Sequence, residues 1–201
     1  MSDAPASDPG GGRDELVAML QRTGALRLSD RREFRLASGE MSDHYFDLRL
    51  LCGDPDGIGA VSAALYDMMV RTGAPRSVGG IESGSISIAA AISHLSGQLH
   101  RRDPSSPSLP SFFVRKGRKG HGTQKMIEGV IESPAVVVED VVTSGGSALR
   151  AVDIIRDAGY ECGHLMCVVF RGSDAQQKEI EKSVKIRYLL RSDYILGRLR
   201  A

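Results

Sequence analysis

The chain has 201 residues, 41% of them hydrophobic and 25% charged, with a formal net charge of +1. That length and composition fit one globular domain with room for a sizeable core. A near-neutral total excludes a global electrostatic pull toward nucleic acid or a membrane surface, and no apolar run reaches the ~18 residues of a membrane span. Residues 1–12 are rich in Asp, Pro, Ser, Ala and Gly and lack the basic and apolar regions of a signal peptide. They read as a disordered tail ahead of a domain over 13–201. Cys52, Cys162 and Cys167 form no short paired motif, which suits a reducing, cytoplasmic setting. Leu16, Val17, Met19 and Leu20, followed by Gly24, predict a helix over 13–23. Residues 34–51 read as a hairpin-like piece around Ala37-Ser38-Gly39. Asp54-Pro55 opens a helix to about Thr72, stopped by Gly73.

Beyond it the pattern alternates. Strands are expected over 77–81, 112–115, 136–138, 165–170 and 186–190, and helices over 86–95, 147–158 and 174–182, with a Pro/Ser-rich loop over 101–110. Alternating strands and helices imply an α/β fold with a parallel sheet flanked by helices. Ligands of such sheets bind beyond the C-terminal ends of the strands.

The most informative segment is Val136-Val137-Val138-Glu139-Asp140-Val141-Val142-Thr143-Ser144-Gly145-Gly146-Ser147. A buried strand is expected to end at two adjacent carboxylates, and a loop of hydroxyls and glycines then leads into a helix. The free amides and partial positive charge of the helix N-terminus attract an anion. Gly145 and Gly146 let the backbone approach it closely, and Thr143, Ser144 and Ser147 add donors. Glu139 and Asp140 repel phosphate, but they suit ribose hydroxyls or a metal ion. A phosphate nest beside two carboxylates describes a ribose 5-phosphate site. A plain turn with an N-cap explains the loop, but not two acids directly after three valines, where desolvation is costly. Neither a Walker loop nor a dinucleotide-binding glycine fingerprint is present.

A second feature is Arg115-Lys116-Gly117-Arg118-Lys119-Gly120-His121-Gly122-Thr123. Four cationic side chains, a histidine and three glycines suit a loop that meets a diphosphate. No aromatic residue is interleaved, so a stacking platform for nucleic acid is absent.

The strand–acid–glycine segment resembles the diphosphate-sugar signature of type I phosphoribosyltransferases. The Arg-Lys-x-x-Lys-x-His-Gly pattern upstream of it is similar to orotate phosphoribosyltransferases in particular. The resemblance runs from about Arg13 to the C-terminus. Leu36-Ala37-Ser38-Gly39 leading to Tyr45-Phe46-Asp47 is similar to the family's hood, placed here at 25–52 with a C-terminal segment, and Gly79-Gly80 with residues 84–89 resembles its diphosphate loop. Phe170 stands where the family often has Asp, and the lysines some members carry near Ala37 and Gly84 are absent.

This likeness implies transfer of a phosphoribosyl group from 5-phosphoribosyl-1-diphosphate to orotate. Arg115, Lys116, Lys119 and His121 would bind the diphosphate. Glu139, Asp140, Val141, Val142, Thr143, Ser144, Gly145, Gly146 and Ser147 would hold the ribose phosphate, and Thr143 and Arg171 the orotate. Lys119, Glu139 and Asp140 are the catalytic candidates. Mg²⁺ is the expected cofactor, bound mainly through the substrate. A homodimer is implied, with the 115–123 loop shared between subunits, and no nucleic acid or membrane partner. Two other readings are a phosphoribosyltransferase for a purine base and a non-catalytic RNA-binding regulator on the same fold.

Overall fold

The computed structural model describes residues 11–35, 39, 41–73, 75–117 and 125–200. Two compact units divide the chain, Met1–Ala60 and Val61–Ala201. The first contains α1 (Gly11–Arg22), β1 (Leu26–Leu28), β2 (Phe34–Arg35), β3 (Met41–Ser42), β4 (His44–Phe46) and α2 (Leu48–Gly53). Leu16, Val17 and Leu20 form the buried stripe of α1, the periodicity visible in the sequence. The last two residues of the expected tail already belong to α1, and the rest of it lies outside the described residues.

The hairpin is present but short. Phe34 pairs with Ser42 and Arg35 with Met41, while Ala37 and Ser38 at its expected turn lie outside the described residues. β4 pairs instead with β1, Leu26 opposite Phe46. Residues 48–53 are helical rather than extended. Asp47 accepts the Arg49 amide at the N-cap, and Leu48 and Leu51 are buried three apart, which is helical spacing.

α3 (Pro55–Arg71) straddles the division between the units. Then come β5 (Ser77–Gly79), α4 (Gly84–Arg102), β6 (Phe112–Val114), β7 (Ile127–Gly129), β8 (Ala135–Val142), α5 (Gly146–Asp157), β9 (Cys162–Phe170), α6 (Asp174–Glu181), β10 (Lys185–Arg191) and α7 (Ser192–Arg200). β5, β8, β9 and β10 form a parallel sheet in the order β10-β9-β8-β5, as the alternating pattern implied. β6 adjoins β5 through parallel bridges at Val78–Ser111 and Ile81–Val114, and β7 pairs antiparallel with β6.

The core follows from strand alternation. Val137 packs with Ala148, Ala151, Val152 and Ile155 of α5 and with Leu165 and Cys167 of β9. Val136 and Val138 are buried on the opposite face. Burial of these aliphatic side chains stabilises the sheet by roughly 1.5–3 kcal/mol each. No described helix is long and apolar enough to cross a membrane.

Four expectations need correction. α4 runs eighteen residues beyond Gly84, to Arg102, so its last two residues take the start of the expected 101–110 loop. β7 is a three-residue strand, too short to carry a period-2 signal. α7 follows β10 where no helix was expected. The strand expected over 136–138 continues to Val142, because β9 extends alongside it, with Val141 opposite Val169 and Val142 opposite Phe170. The acid pair therefore lies within β8, not past its end.

Candidate active site

Four of the connections leave the same edge of the parallel sheet. β5 leads into the 80–83 loop, β6 into residues 115–117, β8 into Thr143–Gly145 and β9 into Arg171–Ser173. This is the C-terminal edge, where helix N-termini and backbone amides gather. The Arg171 amide donates to the Val142 carbonyl at 2.8 Å. That bond carries the β8–β9 register past the strand ends and sets Arg171 beside Thr143.

The loop read from the sequence as a phosphate nest contains the left-handed turn that its glycines permit. Gly145 is the N-cap of α5, with φ +78°, and no side chain caps the helix. Such a left-handed conformation favours glycine, and an added Cβ would also fall 2.8 Å from the Ile180 side chain. Thr143, Ser144, Gly146 and Ser147 are exposed around this helix start. These exposed residues surround the positive end of α5.

Because β8 runs through both acids, their side chains emerge on opposite faces of the strand. Glu139 is 5% exposed, lies opposite Cys167 of β9, and has one carboxyl oxygen, Oε1, without a hydrogen-bond partner. Burial, reinforced by the neighbouring Asp140 charge, pushes its carboxyl up to about 8; the Lys116 charge and a backbone hydrogen bond from Ile81 offset part of that. Near neutral pH Glu139 is mostly protonated. Burial also raises the Cys167 thiol, with Glu139 adding to the effect. Asp140 is half-buried, and its Oδ1 accepts the Val141 amide at 2.8 Å. Its carboxylate lies against Gly84 of α4, where an added Cβ would sit 2.9 Å from it. Gly84 is what lets the 80–83 loop and the acid come this close.

At the root of the basic segment, Arg115 Nε donates to Glu128 Oε1 at 3.0 Å, and the guanidinium lies over Phe113. The Lys116 amide donates to Glu82 Oε1 at 2.7 Å, and Arg150 Nη2 donates to the Lys116 carbonyl at 2.9 Å. Arg118, Lys119 and His121 lie outside the described residues. The structure therefore brings Glu139, Asp140, residues 143–147, Arg171, Arg115 and Lys116 to one edge of the second unit. Sequence reasoning missed Glu82 and Arg150. An acid inside a loop read as anion-binding was the available signal for Glu82, whereas an arginine inside a helix gives none. A cavity of about 520 Å³, lined in part by Thr72, Tyr160, Cys162 and His164, opens at the other end of β8 and β9. It holds none of these residues.

No family model matches the chain. Among curated relatives, it is 36% identical to an orotate phosphoribosyltransferase of Methanocella arvoryzae, over 91% of this chain and 97% of the relative. It is 37% identical to the enzyme of that name from Aquifex aeolicus, over 84% of this chain and 88% of the relative. Among solved structures, the Mycobacterium tuberculosis orotate phosphoribosyltransferase in complex with Fe(III) dicitrate superposes with a TM-score of 0.71 at 30% identity, covering 92% of this chain and 98% of that one. The same enzyme in complex with 5-phospho-alpha-D-ribosyl 1-diphosphate gives a TM-score of 0.67 at 25% identity, covering 94% and 93%.

Proposed function

Because the chain belongs to the orotate phosphoribosyltransferase family, we propose how its residues divide the work of that family's reaction. The enzyme transfers the 5-phosphoribosyl group from 5-phosphoribosyl-1-diphosphate to orotate, giving orotidine 5'-phosphate and diphosphate, a step of pyrimidine biosynthesis. The observation that carries the assignment of roles is the uncapped α5 N-terminus, which follows the acid pair directly on one strand–loop–helix segment.

The 5-phosphate sits on the amides and hydroxyls of residues 143–147, including the backbone of Gly145 and Gly146. Ribose hydroxyls lie toward Asp140 and Glu139, with Val141 and Val142 as the intervening wall. Protonated Glu139 donates to a hydroxyl, and Asp140 accepts from one. As the bond to diphosphate breaks, the ribose carbon gains positive, oxocarbenium-like character, and the Asp140 charge offsets it. Arg115, Lys116, Lys119 and His121 neutralise the leaving diphosphate, with Lys119 as its acid. Arg171 and Thr143 hold orotate, the guanidinium matching the carboxylate. Held between the phosphate nest and Arg171, the base nitrogen stays in line with the ribose carbon.

Among the described residues, no group of three His, Cys, Asp or Glu side chains is arranged to cage a metal ion. A half-exposed carboxylate beside a phosphate-rich substrate suits Mg²⁺, which commonly uses one or two carboxylates plus substrate oxygens. Bound mainly through the diphosphate, with Asp140 alongside, it would supply charge neutralisation of the leaving group. The proposal includes a hood at 25–52 and a homodimer in which the 115–123 loop is shared between subunits, part of it serving the neighbouring site. Three cysteines, two of them buried and none in a disulfide, suit the cytoplasm.

Orotate absorbance in the ultraviolet tests this reading. Purified protein with orotate, the sugar diphosphate and Mg²⁺ consumes the orotate signal. An unchanged signal, with turnover of a purine base instead, assigns the chain to another acceptor.

A further inference from the structure

Glu82 poses a problem for the site just described. It is a carboxylate inside the 80–83 loop, at the edge where a diphosphate is to bind, and an uncompensated acid there repels the substrate. Its surroundings resolve this. The Glu82 amide donates to the Val114 carbonyl at 2.9 Å, and Glu82 Oε1 accepts the Lys116 amide at 2.7 Å. One residue thus grips the end of β6 at two points. On the other side of Lys116, its carbonyl accepts Arg150 Nη2 at 2.9 Å. Arg150 lies one turn into α5, three residues after Ser147, so it moves with the phosphate nest.

The signs are complementary. A carboxylate meets the N–H of the peptide before Lys116, and a guanidinium meets the C=O of the peptide after it. Each bond is charge-assisted. Both are exposed, so neither adds much to global stability. Their joint effect is geometric: both peptide groups of Lys116 are fixed, one to the 80–83 loop and the other to α5. Glu139 feels the Lys116 charge, and Lys116 leaves β6 at the same sheet edge as the acid pair and the start of α5.

Resting on the reading above, we propose that Glu82 and Arg150 are positioning residues that hold the Lys116 backbone between the diphosphate loop and the phosphate helix, aiming its ammonium at the diphosphate. Neither touches substrate; both act through Lys116. The Glu82 charge is spent on the Lys116 amide, which is why an acid is tolerated in that loop.

The experiment is a double-mutant cycle in the full chain, read as the affinity for inorganic diphosphate with Mg²⁺ by calorimetry. Glu82→Ala and Arg150→Ala each weaken binding about tenfold, equivalent to ~1.4 kcal/mol. On a Lys116→Ala background, either change weakens it less than about twofold, because the residue being positioned is gone. Glu82→Gln and Arg150→Lys keep an acceptor and a donor and recover most of the affinity. Glu82→Leu and Arg150→Met, which keep bulk but remove the acceptor and the donor, replace the alanine variants in the cycle if thermal melting shows that those do not fold. Full, additive losses on the Lys116→Ala background, or no loss in the single variants, overturn the proposal. Orotate turnover by the unaltered chain, measured alongside, reports on the enzymatic reading separately. Coupling without turnover keeps the positioning role and removes that reading, and turnover without coupling does the reverse.

Discussion

Glu139 and Asp140 are neighbours in β8, yet one is buried with an unpartnered oxygen while the other is half-exposed and bonded to the Val141 amide. Adjacent carboxylates on a strand face opposite sides, so the sheet gives them different solvents. One becomes a neutral acid and the other an acceptor, without any difference in intrinsic chemistry.

That asymmetry predicts a pH-dependent stability. The Glu139 carboxyl is raised to about 8 from an ordinary 4.5. Between those values the folded chain keeps a proton that the unfolded chain has lost, so this group makes stability fall as pH rises through the window. Glu139→Gln removes the ionisation. Relative to the unaltered protein, the variant gains almost nothing near pH 4.5 and on the order of 4 kcal/mol near pH 8.5. Urea unfolding at the two pH values checks this; an equal difference at both shows that the carboxyl titrates normally.

Gly84 sits where any Cβ would meet the Asp140 carboxylate at 2.9 Å. Gly84→Ala therefore turns the acid away from its present position. The expected result is about a tenfold loss in kcat/KM for the sugar diphosphate, near the effect of one lost charged hydrogen bond. Steady-state kinetics with orotate saturating measures it, and unchanged kcat/KM means that Asp140 does not act from this position.

The nest depends on Gly145 at φ +78°. Gly145→Ala places a side chain in the left-handed region and against Ile180. It costs about 1–2 kcal/mol of stability from the backbone conformation alone, together with affinity for the 5-phosphate. Denaturation and ribose 5-phosphate binding report the two effects, which fall together if the helix start is the phosphate site.

Arg171 is tethered through its amide to Val142, beside Thr143. Arg171→Ala should raise KM for orotate about 30-fold, corresponding to ~2 kcal/mol for one charged pair, while leaving KM for the sugar diphosphate within about twofold. Equal rises in both constants count against a role in base recognition.

The parallel sheet and the glycine turn into α5 were legible because they rest on local signals: valine runs, glycine stops and a glycine–hydroxyl loop opening a helix. What escaped was decided by partners distant in sequence. β8 reaches Val142 only because Val169 and Phe170 of β9 lie opposite, so no reading of residues 136–147 alone reveals that the acids fall on opposite faces. β7 exists as the partner of β6, with too few residues to show a period. Residues 48–53 follow a helix because Asp47 caps them and Leu48 and Leu51 are buried together, where the sequence also permits an extended piece. Glu82 and Arg150 meet at Lys116 from positions 34 residues away on either side, a juxtaposition that no motif encodes.

One measurement goes to the centre of the matter: a structure of the protein with the intact sugar diphosphate bound. The 5-phosphate should rest on the amides at the start of α5, with the ribose hydroxyls bonded to Asp140 and Glu139. A phosphate bound elsewhere, or a ribose whose hydroxyls meet neither acid, contradicts it.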